Sequence, residues 1–404
     1  MTNSTFPLKG RLAGYFSYRA FIHSTYSLPV LGMDTHEGLV VYFTGGTGYL
    51  GKETLKILSR NPAYSRIYIP VRDKKGVPGE QRFEGELGKF SLKCRYVHPD
   101  SPVPPDTNLV VLAAYSISFN SNLREMVRES CVPILDIVDQ CSSLPALKRV
   151  VFVSTAYVQP PLPIRRYDGL VPIHGADDPE SVFTQLPNES LASLAALDGN
   201  HPHTCVNSYL YTKTLMEHLI YSRLRGKVTV TLLRPSMISV SSDGSVGSRY
   251  TPPCATAEFC GYPVGRFWGE KEGILNHVHV DHVAQRLDRS MTAPIDGTGL
   301  EVVWATGASI PAREFAERFT KGEGCRKHYL GTPTWTLWLL RICELLISFF
   351  VYGPTLTRRV LKCYRMYDHF STSKYDFLSD PRSTGERSQA ALEKWLDANP
   401  RTNR

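Results

Sequence analysis

Tyr209 and Lys213 stand four residues apart in a segment of helical pattern, SYLYTKTLMEHLIYSRL. On a helix that spacing puts both side chains on one face. A nearby ammonium favours the phenolate and lowers a tyrosine pKa, so the pair is expected to donate and accept a proton near neutrality. Tyr211 lies in the same segment but has no lysine four residues on, and is set aside. Upstream, the apolar run VVFVS at 150–154 leads into the hydroxyls Ser154 and Thr155. A hydroxyl at the carboxyl end of a strand can hydrogen-bond a carbonyl oxygen as negative charge develops on it.

Such groups need a scaffold and a second reactant. The apolar run LVVYFT at 39–44 is followed by GGTGYLG and then by the helix-like KETLKILSR. Gly45, Gly48 and Gly51 fall in a GxxGxxG spacing, with Gly46 an extra glycine and Thr47, Tyr49 and Leu50 filling the loop. The first glycine allows the tight turn, the second a close backbone approach to a pyrophosphate, the third close packing of helix on strand. The helix N-terminus adds free N–H groups and a partial positive charge. Strand, glycines and helix in that order predict a dinucleotide site. Arg72 comes 21 residues after Gly51, at the end of the next strand, with Lys74 and Lys75 close by. An acid there would bind a ribose 2′-hydroxyl, whereas a cation suits a 2′-phosphate, so the expected cofactor is NADPH.

Further short apolar runs at 66–71, 109–114, 228–233 and 302–306 alternate with helical patterns at 123–141, 208–224 and 311–319. That alternation predicts an α/β fold, a Rossmann-type doubly wound parallel sheet. Pro70 cannot donate to a ladder, so the second strand is expected to be irregular there. Residues 158–206 and 239–270 show no strong period and read as long functional loops. Three parts are expected: a leader at 1–36, the NADPH-binding domain at 37–324, and a smaller, mainly helical C-terminal region at 325–404.

The chain has 404 residues, 42% hydrophobic and 21% charged, which excludes a mostly disordered protein. Nine scattered cysteines without a CxxC pair argue against a disulfide scaffold or zinc finger and for a reducing compartment. The net charge of +8 sits at the ends: +3 over 1–33 and +6 over 325–404, with −1 between. A neutral body does not suit nucleic-acid binding; basic ends suit an anionic surface or a targeting leader. For 1–36 an uncleaved extension and a cleaved organelle leader, mitochondrial among them, both remain open. The apolar segment 335–352 has the length of a span but is interrupted by Arg341 and Glu344. Spanning, in-plane and packed placements all remain open for it, with Arg358, Arg359, Lys362 and Arg365 following.

TGGTGYLGK, VRDK at 71–74, VSTAYV at 153–158, NSYLYTK at 207–213 and LRPS at 233–236 together resemble the fatty acyl-CoA reductases, an extended branch of the short-chain dehydrogenase/reductases. The long stretch between Thr155 and Tyr209 fits that family better than the sugar-nucleotide epimerases. HVHVDHVA at 277–284 resembles the superfamily's returning strand and helix. The resemblance covers about residues 38–324 well. It touches 325–404 only through the apolar segment and FSTSKYDF at 370–377. It implies Thr155, Tyr209 and Lys213 as catalytic, with Ser154 the lesser hydroxyl. It implies Gly45, Gly48, Gly51 and Arg72 on the cofactor, Ala113 and Ala114 at its adenine side, Arg234, Pro235 and Ser236 near the nicotinamide, and Lys213 also on the nicotinamide ribose. The implied activity is NADPH-dependent reduction of a long-chain acyl-CoA to aldehyde or alcohol, with release of CoA. The implied setting is intracellular and membrane-associated, at the endoplasmic reticulum or peroxisome, with membrane contact through 335–365. A sterol dehydrogenase or nucleotide-sugar epimerase is the alternative within the superfamily. His277, His279 and His282 lack a carboxylate or cysteine to complete a metal set, Cys254 and Cys260 read as packing residues, and no metal is expected.

Overall fold

A computed structural model describes residues 38–319 and 384–400, together with Leu346; 91, 119–120, 160–167, 174, 176, 198–206, 250, 255–256 and 258–273 are not described. The leader, the segment 335–352, the basic run after it, the 370–377 stretch, Cys260 and most of the 239–270 loop beyond 257 therefore lie outside the described residues.

Seven strands form one parallel sheet: β1 (Leu39–Thr44), β2 (Tyr64–Pro70), β3 (Cys94–Val97), β4 (Leu109–Leu112), β5 (Arg149–Val153), β6 (Thr229–Pro235) and β9 (Leu300–Ala305). Their order is β3-β2-β1-β4-β5-β6-β9, every pair parallel. The order reverses between β1 and β4, which opens a crevice at their carboxyl ends, where such sheets bind ligands. The predicted doubly wound sheet is thus present, each predicted strand displaced by at most two residues at either end. β4 and β5 are buried along their whole length, as both-face coverage by helices requires.

The helices are α1 (Tyr49–Leu58), α2 (Gly79–Leu87), α3 (Leu123–Met126), α4 (Val132–Cys141), α5 (Pro179–Gln185), α6 (Leu191–Leu197), α7 (Ser208–Leu224), α8 (Val280–Thr292), α9 (Ala312–Phe319) and α10 (Gly385–Ala398). α3 and α4 are the predicted 123–141 helix, joined through one π-helical stretch, Val127–Cys131. Pro133 lies just beyond it and has no N–H for a regular ladder, so the backbone widens at that point.

A second sheet, β10-β8-β7, is built from β7 (Met237–Ser239), β8 (Ile274–His279) and β10 (Ala308–Pro311). Met237, Leu275, Ile310 and Phe315 share a core there with Leu392 and Trp395 of α10. Arg318 ion-pairs with Glu393 at 2.9 Å, and Gln389 donates to Glu314 at 2.9 Å. A Cβ on Gly247 would fall 2.4 Å from the Trp395 ring, so the 241–249 loop lies flat against α10.

Two sequence expectations need correction, and three short strands were not anticipated. Pro70 closes β2 instead of disturbing it: β2 pairs with β1 only through Tyr68, and the register shift lies at Leu39/Val40. The 158–206 loop contains α5 and α6, whose seven-residue lengths are too short for a clear period. β3, β7 and β10, at three or four residues each, gave too little alternation to register.

Candidate active site

The cradle is shaped by close contacts that leave no room for side chains, with backbone at Gly45 and Gly51 and with a core side chain at Gly46. Gly45 has φ +79°, and a Cβ there would lie 2.9 Å from the Ala113 carbonyl and the Ala114 nitrogen. A Cβ on Gly46 would meet Ile69 at 2.7 Å, and one on Gly51 would sit 2.1 Å from the Gly45 carbonyl oxygen. Thr44 ends β1 and ties the crevice together. Its hydroxyl donates to the Val111 carbonyl at 3.1 Å and accepts from the Ala113 and Ala114 N–H groups at 2.9 and 3.1 Å. Gly48 caps α1 with no side-chain acceptor, and the first turn carries no acid. The helix therefore presents N–H groups and a positive end suited to phosphate oxygens. The cradle fits a dinucleotide.

Because the Gly51 contact is with backbone, an added methyl cannot be absorbed by a rotamer change. Gly51→Ala is expected to push α1 off the turn and lower dinucleotide affinity roughly tenfold or more, from about 1–3 kcal/mol of overpacking. A fluorescence titration with NADPH measures this, and unchanged affinity would mean the close approach has no bearing on binding.

The other cofactor candidates divide. Thr47 stays half-buried in the turn. Tyr49 turns its hydroxyl to the Ser239 carbonyl at 3.0 Å, so it can offer phosphate only its backbone N–H. Leu50 packs against the sheet core. Arg72 is exposed after β2. The neighbouring Asp73 accepts from the Gly79 N–H at 2.7 Å, at the start of α2, and is thereby diverted from the ligand side. Pro235 ends β6, and the buried Ser236 hydroxyl has no hydrogen-bond partner among the described residues. A buried hydroxyl left without a partner is costly, and a ligand group in the crevice would supply one.

Asn207 caps α7 by accepting from the Leu210 N–H at 2.8 Å, and Gly226 at φ +75° follows its last turn. The helix is buried on almost every face. It brings Tyr209 to the carboxyl end of β5, where its hydroxyl shares a hydrogen bond with the Thr155 side chain. Thr155 is buried and also caps the short turn Ala156–Val158. The Ser154 hydroxyl, also buried, has no partner among the described residues. Lys213 is 2% exposed, and its ammonium donates to the Val153 carbonyl at 2.5 Å.

The electrostatics reverse one expectation. Burial pushes Tyr209 up to about 12, with the Thr155 hydrogen bond opposing the shift. Burial also pulls Lys213 down to about 7, against Cys131 and Glu217, which favour its charge. Lys213 therefore does not hold Tyr209 low in this state: the cost of burying either charge outweighs their mutual benefit. The ammonium instead lies 3.8 Å from the Tyr115 ring centroid, 4.4 Å from that of Phe152 and 5.9 Å from that of Tyr209.

Sequence reasoning passed over Thr44, Tyr115, Cys131 and Glu217. Glu217 is one turn beyond Lys213 on the same helix face, a signal open to inspection. It forms a buried ion pair with Arg234 of β6 at 2.6 Å, which moors α7 to the sheet. Arg234 also donates to the Gly169 carbonyl at 2.7 Å and stacks on Trp304, 5.3 Å away. His277 lies edge-on to Phe315 and burial pushes it down to about 3, His279 pairs with the Val240 carbonyl, and the half-buried His282 meets the His279 ring edge-on at 5.3 Å.

Sheet order, cradle and the Thr155–Tyr209–Lys213 cluster define a Rossmann-type protein of the extended short-chain dehydrogenase/reductase class. Residues 43–99 and 105–287 match the family model described as "Male sterility protein", an NAD-binding family, and the chain belongs to it. Human "Fatty acyl-CoA reductase 1" is 26% identical over 320 residues, spanning 71% of this chain and 58% of the relative. The chain thus spans little more than half the length of that curated relative. Among solved structures, the terminal R domain from the myxalamid PKS-NRPS pathway aligns with a TM-score of 0.60 at 19% identity, covering 91% of this chain and 87% of that one. UDP-glucuronic acid 4-epimerase from Bacillus cereus, in complex with NAD, aligns with a TM-score of 0.51 at 14% identity, covering 72% and 87%.

Proposed function

We propose that this chain is an NADPH-dependent reductase of long-chain fatty acyl-CoA, releasing CoA and giving the aldehyde or, after a second reduction, the alcohol. The observation carrying this is the gathering of Thr155, Tyr209 and Lys213 at the carboxyl end of β5, with Thr155 and Lys213 buried and the Lys213 ammonium 5.9 Å from the Tyr209 ring centroid. The curated relative named for this activity supports the substrate class.

When bound, the reduced nicotinamide supplies the hydride. Thr155 and Tyr209 hydrogen-bond the carbonyl oxygen and stabilise the charge that develops there. Collapse of the tetrahedral carbon expels CoA as its thiolate. In aldehyde reduction Tyr209 gives its proton to the alkoxide, which is the stronger base; its raised pKa keeps the phenol protonated until that point. Lys213 in its charged form sets a positive charge beside that exchange and holds the nicotinamide ribose. Gly45, Gly46, Thr47, Gly48 and Gly51, with the backbone N–H groups of Tyr49 and Leu50, hold the pyrophosphate. Ala113 and Ala114 line the adenine side, and Pro235 and Ser236 the nicotinamide side.

Oxidation of NADPH in the presence of palmitoyl-CoA, with free thiol and aldehyde or alcohol as products, tests this reading. A folded, NADPH-binding protein that turns over neither palmitoyl-CoA nor a long-chain aldehyde would overturn it. Arg72 is assigned to the 2′-phosphate. Arg72→Ala is expected to raise KM for NADPH about 10–100-fold, the worth of a charge-assisted hydrogen bond, while leaving NADH kinetics unchanged. Equal effects on the two cofactors would remove Arg72 from that role.

A further inference from the structure

Tyr115 belongs to no motif discussed so far, yet it touches three elements of the site. It follows Ala113 and Ala114 after β4. Its hydroxyl donates to Thr212 on α7 at 2.8 Å and lies 3.4 Å from the Cys131 sulfur in the π-helical stretch. Its ring meets the Tyr209 ring edge-on at 6.0 Å and the Phe152 ring edge-on at 6.3 Å. The edge-on ring contacts hold the ring, with the hydroxyl contacts beside them, and its face is turned to the Lys213 ammonium at 3.8 Å.

We infer that Tyr115 is a positioning residue: with Phe152 it clamps the Lys213 ammonium between aromatic faces, keeping it charged and aimed beside Tyr209. This rests on the proposed roles of Tyr209 and Lys213. The physical need is clear from the surroundings. Lys213 is buried and receives a single backbone carbonyl, from Val153. The groups facing it are the Tyr115, Phe152 and Tyr209 rings, the Cys131 thiol and, one turn along α7, Glu217, whose charge is shared with Arg234. A ring face stabilises a cation without carrying a titratable negative charge. It thus favours the ammonium without adding a base that competes for the Tyr209 proton. The widened backbone at Val127–Cys131 places the Cys131 sulfur where it meets the Tyr115 hydroxyl.

The test compares Tyr115→Leu and Tyr115→Met, which remove the ring, with Tyr115→Phe, which keeps it and loses only the hydroxyl. Each variant is checked by thermal melting, NADPH affinity against pH by fluorescence, and kcat against pH with palmitoyl-CoA. In the wild type, kcat and NADPH affinity should both fall as pH rises through the Lys213 titration. Without the ring that fall should move down by about one pH unit, a tenfold loss of ammonium, and kcat at pH 8 should drop about tenfold. Tyr115→Phe should keep the wild-type profile. A folded ring-free variant with a wild-type profile overturns the clamp, as does Tyr115→Phe moving as far as the ring-free variants. The affinity profile separates this inference from the proposed function. A wild type that binds NADPH but reduces nothing refutes the function, while the clamp is still read from how Tyr115→Leu or Tyr115→Met shifts the pH dependence of binding.

Discussion

Tyr209→Phe is expected to lower kcat for palmitoyl-CoA and for a long-chain aldehyde by about 10²–10⁴-fold, the usual worth of a positioned general acid. NADPH affinity should hardly change, because the phenol hydroxyl is directed to Thr155 after β5, whereas the glycine cradle is built from the turn between β1 and α1. The substitution removes one oxygen and keeps the ring in its edge-on contact with Tyr115. Stability should therefore stay close to wild type, and lost turnover can be assigned to chemistry. The aldehyde step should suffer more than the thioester step. The alkoxide must take a proton from Tyr209, whereas the thiolate leaving group needs none. Product analysis should accordingly show aldehyde accumulating over alcohol relative to wild type. Full activity in Tyr209→Phe would end the assignment of Tyr209 as proton donor.

Glu217→Ala should have the largest effect on stability. Arg234 and Glu217 are both fully buried and paired through two hydrogen bonds, at 2.6 and 3.0 Å. Removing the carboxylate leaves a guanidinium in the core without its counter-charge, still donating to the Gly169 carbonyl and stacked on Trp304. Breaking a buried pair from one side costs about 3–5 kcal/mol. At about 2–4 °C per kcal/mol for a large domain, the melting temperature should fall by roughly 10 °C. Replacing both members, as in Glu217→Leu with Arg234→Leu, should recover much of that loss, because no charge is then stranded. Calorimetry on the single and double variants checks this. A single variant melting within a degree or two of wild type would show that the pair does not hold α7 to β6.

Much of the architecture could be read from residue order. β1, the glycines and α1 are contiguous, and their chemistry is backbone chemistry, so spacing alone carries it. Tyr209 and Lys213 share a helix face because of the helix period. Arg72 could be read as the 2′-phosphate candidate from its distance beyond Gly51. The diversion of Asp73 into the start of α2 became visible only in the folded chain. β3, β7, β10, α5 and α6 escaped, since a period needs more than one or two turns or alternations to show, whereas β4 and β5, equally short, were legible as continuous apolar runs. The docking of α10 on the second sheet escaped for another reason. Trp395 meets Gly247 and Glu393 meets Arg318 across long stretches of chain, and no local pattern announces such pairs.

Sequence by itself determined the doubly wound sheet and the glycine turn after its first strand, and it singled out the phenol, ammonium and hydroxyl groups proposed to act there. All of these follow from strand and helix periods, glycine conformational freedom and near-neighbour spacing. Only the tertiary structure decided their charge states and surroundings: Tyr209 raised, Lys213 lowered, an aromatic clamp at Tyr115 and a buried pair at Glu217 and Arg234. Proton affinity depends on how much water is removed and which distant groups replace it, and that is set by packing among strands and helices far apart in the chain.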